Sequence, residues 1–179
     1  MIGQIKRFFV GVVCLLVSFS AFSQVNTPEQ MKKLNFLISN WKVIETSGSV
    51  ASSDTTQASI KWLHEGKFVQ ELVQHNTQFG EINMLTIIGF DSRWGRYKLT
   101  AMDKEYGMMD TYEGDWQGNQ LIFTNLNSDK AITMEDGKQL NFRLTYYDIE
   151  SNSYYHKVEG TYDRGETWFT FSISQYLKG

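Results

Sequence analysis

The chain has 179 residues, with 17 Lys and Arg against 20 Asp and Glu, and a formal net charge of −3. No basic stripe of the kind a phosphate backbone requires is visible, which argues against nucleic acid as a partner. A single cysteine excludes a disulfide framework, and a single proline, Pro28, leaves every later segment able to pair in a sheet.

Lys6 and Arg7 precede an apolar stretch from Phe8 to Phe22, and Ala21-Phe22-Ser23 places small residues at the first and third positions before a cut. This order reads as a secretory signal peptide over residues 1–23, which implies a secreted or periplasmic protein. The stretch falls short of the about 20 apolar residues that span a bilayer, so no stable membrane insertion is expected after cleavage. Cys14 follows Val12 and Val13 rather than the small residues of a lipoprotein cut, so the mature part has no thiol chemistry. If Gln24 begins the mature chain, 156 residues remain, with 15 bases to 20 acids. They fit a single domain, 24–179, because a chain of that size hides about two-thirds of its unfolded surface.

Thr27 is placed to cap a short helix beginning at Pro28, with Gln30 at the reciprocal capping position and Met31, Leu34, Phe36, Leu37 and Ile38 on its apolar side. After Trp41 the texture changes to aromatic and β-branched residues in alternation, broken at short intervals by Gly, Asp, Asn or Ser. Strands are expected at Asn40–Thr46, Thr55–Leu63, Phe68–Asn76, Ile82–Phe90, Arg96–Met102, Met108–Trp116, Gln120–Asn125, Gln139–Tyr147, Tyr154–Tyr162 and Trp168–Gln175. Ala131–Met134 extends or precedes the eighth, and the Ser- and Gly-rich stretch Thr46–Asp54 is expected to be a mobile loop at a barrel end. Short links between neighbours demand antiparallel, up-and-down order, since parallel pairs need long crossovers. The expected fold is therefore all-β: a closed antiparallel barrel of about ten strands with a short N-terminal helix.

Alternation assigns faces. Ile82, Met84, Thr86, Ile88 and Phe90 share one side of their strand, and Leu140, Phe142, Leu144 and Tyr146 one side of theirs; both sides are apolar. Two other sides mix polar groups with apolar ones: Met108, Asp110, Tyr112, Gly114 and Trp116, and Tyr154, His156, Val158, Gly160 and Tyr162. Such mixed faces suit a lined cavity. The expected ligand-binding residues are Met84, Asp110, Tyr112, Phe142, Arg143, Tyr154 and His156. Trp41, on the first strand and backed by the helix, is expected to plug one barrel end and to be structural.

The stretch Leu34 to Val43, a short helix running into Ser39-Asn40-Trp41, resembles the start of calycin barrels, with Ser39 where a glycine usually stands. The wider pattern resembles a secreted bacterial family of that superfamily, the domain of unknown function family fifteen-seventy-nine. The resemblance covers most of Pro28 to Leu177 and rests on Leu34-x-Phe36-Leu37 leading to Trp41, Ile88-Gly89-Phe90-Asp91 with Tyr97, the Gly114-x-Trp116-x-Gly118-x-x-Leu121-x-Phe123-Thr124 hairpin, and Asp163-x-Gly165-x-Thr167-Trp168. It implies a lipocalin-like barrel and no particular activity.

The last of these pieces also matches the turn called an Asp-box, in which Asp163 accepts hydrogen bonds from the turn, Gly165 takes positive φ and Trp168 folds over the hairpin. One copy cannot build a propeller, so it carries no glycosidase meaning. The three histidines, His64, His75 and His156, lack zinc-ligand spacing, and His156 has no local motif marking a haem ligand; neither metal nor cofactor is expected. Asp110, Glu71, His156 and Arg143 are the acid–base candidates, without a nucleophile elbow, phosphate loop or metal signature to support them. Ser172 and Ser174 alternate with Phe171 and Ile173 as a strand with one polar face. The leading expectation is a barrel binding a small, largely apolar molecule in its interior. The alternatives are an enzyme using Asp110 and His156 in the barrel mouth, and a non-catalytic module docking another envelope protein.

Overall fold

The computed structural model describes residues 27–48, 55–77, 80–128, 131–134 and 136–179. The leader, most of the Ser- and Gly-rich loop and the side chain of Thr27 lie outside the described residues. The chain opens with helix α1 (Thr27–Lys32) and a single 3-10 turn (Asn35–Leu37). Eleven strands follow: β1 (Ser39–Gly48), β2 (Thr55–Leu63), β3 (Phe68–Thr77), β4 (Gly80–Asp91), β5 (Arg96–Asp103), β6 (Met108–Gln117), β7 (Gln120–Thr124), β8 (Ile132–Thr133), β9 (Gln139–Tyr147), β10 (Ser153–Thr161) and β11 (Phe169–Lys178).

Each strand from β1 to β7 pairs antiparallel with the next, β7 passes to β9, and β9, β10 and β11 return to β1. Ten strands thus close on themselves, while β8 is a two-residue pairing on β9 beyond the end of β7. This is the expected up-and-down barrel. Closure leaves no unpaired edge, which an open sheet of this length would expose to other chains. Strand limits agree with the alternation except at the ends, and the largest difference is β11, which continues to Lys178 instead of stopping at Gln175.

The strand directions give the barrel two unlike ends. β1 starts beside the helix, so the turns after β2, β4, β6 and β9 lie at that closed end and the connections after β3, β5, β7 and β10 at the other. The closed end is filled. Met31, Leu34 and Leu37 bury against Trp41, Ile60, Val69, Ile88, Tyr97, Leu121, Phe123 and Tyr154. Trp41 is fully buried and its indole N–H donates to the Leu37 carbonyl at 2.6 Å, which ties β1 to the 3-10 turn. Its ring meets Tyr154 edge-on at 5.0 Å, and the Tyr97 hydroxyl donates to the Gln30 carbonyl at 2.8 Å, fastening α1 from the opposite wall. The role expected for Trp41, a plug, is the one it has.

Two glycines are dictated by packing. Gly114 and Gly160 sit directly opposite Phe123 and Phe169, and a Cβ at either would lie 2.4 to 2.5 Å from the partner's ring. The absent side chains let the rings lie across the strand.

Replacing Trp41 by Ala removes the largest piece of the plug together with its hydrogen bond. A destabilisation of about 3–5 kcal/mol is expected, measured by chemical denaturation. A loss under about 1 kcal/mol would show that the helix and tyrosines close the end without it.

Candidate functional site in the barrel interior

Above the plug the barrel is hollow. The cavity has a volume of about 740 Å³ and opens at the end away from the helix. Its walls are built by the period-two alternation of the strands: Glu71 and Val73 from β3, Met84 and Thr86 from β4, Leu99, Ala101 and Asp103 from β5, Met108, Asp110 and Tyr112 from β6. Leu140, Phe142, Leu144 and Tyr146 come from β9, His156 and Val158 from β10, and Ser172, Ser174 and Tyr176 from β11. Most of this lining is apolar, and the polar groups converge from separate strands.

Five of the seven residues expected at the site, Met84, Asp110, Tyr112, Phe142 and His156, line this one cavity. Tyr154 points inward as expected but lies one layer too deep, fully buried in the plug against Trp41 and stacked on Tyr176 at 4.5 Å. Arg143 is corrected outright. It alternates with the inward Phe142 and Leu144, so its guanidinium lies on the outer face, bonded to Glu159 at 2.9 Å and stacked over Trp168 at 4.3 Å. Tyr162 also leaves its expected face: β10 ends at Thr161, and Tyr162 is exposed and stacked on Phe169.

The polar face of β11 turns inward. Ser172, Ser174 and Tyr176 line the cavity, and a bulge opposite Val158 and Glu159 brings Phe171 to it as well. Such an extra residue re-aims side chains that strict alternation would send outside. Tyr176 lies beyond the expected strand end, and the continued alternation after Ser174 is the signal that marks it.

Two polar groupings result. Near the mouth, the Asn125 amide donates to Asp110 at 2.6 Å, while the Asn125 carbonyl oxygen accepts from the Phe142 backbone N–H at 2.6 Å. Asn125 is buried, and it prolongs the pairing of β7 with β9 past the last residue of the strand. At the base, the Tyr176 hydroxyl donates to Glu71 at 3.0 Å, and His156 stacks on Tyr146 at 4.5 Å. Burial raises the Glu71 carboxyl from 4.5 to about 7, against the opposing hydrogen bond from Tyr176. Burial also raises Glu45, and it lifts the phenols of Tyr112, Tyr146 and Tyr176, with neighbouring negative charge acting in the same direction.

The turn at residues 161–168 frames one side of the mouth. Asp163 accepts from the hydroxyls of Thr161 and Thr167 and from the Thr167 N–H, and these bonds lower its carboxyl to about 2. Gly165 has φ of 94°, and the Trp168 indole donates to its carbonyl at 3.1 Å. The turn is structural, as its sequence implies.

Glu71 makes stability depend on pH. Because its folded value of about 7 lies above the ordinary 4.5, the folded barrel retains a proton that the unfolded chain releases between those values. The stabilisation is full below pH about 4.5 and falls by about 3 kcal/mol as pH rises through about 7. Glu71→Gln is expected to abolish this part of the decline between pH about 5 and about 8, measured by denaturant titration at both. An unchanged slope in the variant would place the proton elsewhere. Asp163, lowered to about 2, acts only in more acidic solution, where its contribution is lost as pH falls.

No curated protein matches the chain. The features that carry the barrel, from the helix through the tryptophan of β1 to the last strand, fall within residues 29–178, and over that whole span the sequence matches one family. The chain belongs to the family described as protein of unknown function (DUF1579).

Proposed function

We propose that this barrel is an exported, calycin-like carrier that binds a small, largely apolar molecule in its interior. The observation that carries the reading is the cavity itself. Its volume of about 740 Å³ falls within the ~300–1,000 Å³ of small-molecule sites, and its walls present Val73, Leu99, Leu140, Leu144 and Val158 with a few convergent polar groups. Apolar side chains facing a hollow gain no packing partners from one another, whereas a bound apolar molecule supplies them. The exposed Tyr106, Met108, Met109 and Phe171 around the opening add an apolar rim that a ligand meets first.

An acid–base pair of Asp110 and His156 has both members in the same cavity. Asp110, however, is engaged by Asn125, which also holds the β9 backbone, and this favours a structural use of that carboxylate. The reading as a carrier needs no such pair.

Two measurements test it. Native mass spectrometry of protein purified from its source cell is expected to show a retained small molecule. The neutral fluorophore N-phenylnaphthylamine is expected to bind saturably, and Ala101→Trp, which fills the hollow from β5, to weaken that binding at least tenfold while the barrel remains folded by circular dichroism. Equal binding by the filled variant would place the probe outside the barrel and overturn the proposal.

A further inference from the structure

We infer that the ligand of this cavity carries a protonated amine seated on Glu71, with its apolar body lying along Val73, Met84, Leu99, Leu144 and Val158. This rests on the reading of the interior as a ligand site and adds the chemical class of the occupant.

The first support is the sign of the lining. Four carboxyl groups face the hollow, those of Glu45, Glu71, Asp103 and Asp110, and among the described residues no Lys or Arg does. A fatty acid or a phosphate ester entering here meets no countercharge and a repulsive wall, and exclusion of that kind is half of specificity.

The second is that the four are not equivalent. Asp110 is held by Asn125. Asp103 accepts the N–H groups of Glu105 and Tyr106 in the turn at the mouth. Glu45 is only half-buried and stands near the opening. Glu71 alone is deep: the residue is 6% exposed, one oxygen is held by Tyr176, and among the described residues no Lys or Arg lines the cavity around it. A buried carboxyl without a countercharge is costly, and it is driven towards its protonated form, here to about 7. A cationic group reaching it would restore the ionised form and gain a charge-assisted hydrogen bond.

The third is a buried hydroxyl with nothing to bind. Tyr154 is fully buried, and among the described residues its hydroxyl has no hydrogen-bond partner. Tyr154 lies directly opposite Tyr176, the two rings stack at 4.5 Å with an interplanar angle of 18°, and Tyr154 feels the charge of Glu71. An ammonium group has three N–H donors, and at the base of the cavity it meets the Glu71 carboxylate and the rings of Tyr146 and Tyr176, aromatic faces of the kind that attract cations, with Tyr154 in the layer below.

The groups that feel Glu71 are Tyr176 on β11, Tyr146 on β9 and Tyr154 on β10, and the other titratable groups of the cavity are His156 on β10, Tyr112 and Asp110 on β6, Glu45 on β1, Asp103 on β5 and Tyr106 in the turn after it. Its direct strand neighbours, Ile60 and Thr86, carry no charge.

The test uses three probes with one tail, decylamine, decanol and decanoate, titrated into the full chain by calorimetry at pH about 8. Decylamine is expected to bind at least tenfold more tightly than decanol, and decanoate more weakly than either. Near pH about 7 the heat of decylamine binding is expected to vary with the ionisation heat of the buffer, because Glu71 gives up its proton, and the affinity to fall at least fivefold by pH about 5. Glu71→Gln is expected to bring decylamine to the level of decanol and to remove the proton release. Decanol or decanoate binding as well as decylamine would overturn the amine while leaving the cavity reading intact. Persistence of the preference in Glu71→Gln would overturn the role of Glu71. Failure of all three probes to bind would overturn both readings. The ranking in the unmodified chain decides the matter even if the variant does not fold.

Discussion

A barrel of ten strands is wider than its own wall residues can fill, and this constraint organises the rest of the molecule. At about eight strands wall side chains can still fill the interior or leave room for one small molecule; two more widen it, and here an element from outside the wall fills one end. Here α1 and the 3-10 turn deliver Met31, Leu34 and Leu37 to one end, and Trp41 binds them to the first strand through the Leu37 carbonyl. The supply reaches only so far. Beyond the layer of Tyr97, Phe123 and Tyr154 no further element among the described residues enters, and the cavity runs up to the mouth. The packed core and the cavity therefore occupy opposite halves of one tube.

Much of this is written plainly in the chain. Alternation in Met108 to Trp116 and in Leu140 to Tyr146 identifies the inward faces, because a strand with one side in a closed barrel has no other way to bury its apolar half. Period-two patterning marks a face without marking height along the axis. Tyr154 and His156 share a face, and only the length of the plug, set by residues more than a hundred positions earlier, decides that one is core and the other wall. Arg143 eludes the pattern for another reason: an arginine between apolar residues reads as a polar group near a site, and its actual partners, Glu159 and Trp168, become neighbours only through the pairing of β9 with β10 and the turn that follows. Phe171 is inside because of a bulge, which no alternation announces.

The ionisable groups divide sharply between the two faces of the wall. Outside, Glu159 is matched by Arg143 across the neighbouring strand and by Lys157 two residues away on its own, while Arg96 and Lys98 share Glu113 across neighbouring strands. Cross-strand pairs of this kind reinforce the register that closes the sheet. Inside, among the described residues, acids stand without Lys or Arg. A net charge as small as that of the whole chain hides this partition, which belongs to the way the strands alternate rather than to composition.

The turn around Asp163 adds an asymmetry to the mouth. Every bond that shapes it, from Thr161, Thr167, Gly165 and Trp168, is made within eight successive residues, so its form owes nothing to what the tube holds. Across the opening, Tyr106, Met108 and Met109 are exposed, and the two methionines bring long unbranched side chains to the rim. One lip is fixed and the other pliant. Any adjustment in the width of the opening therefore falls on the methionines rather than on the whole circumference.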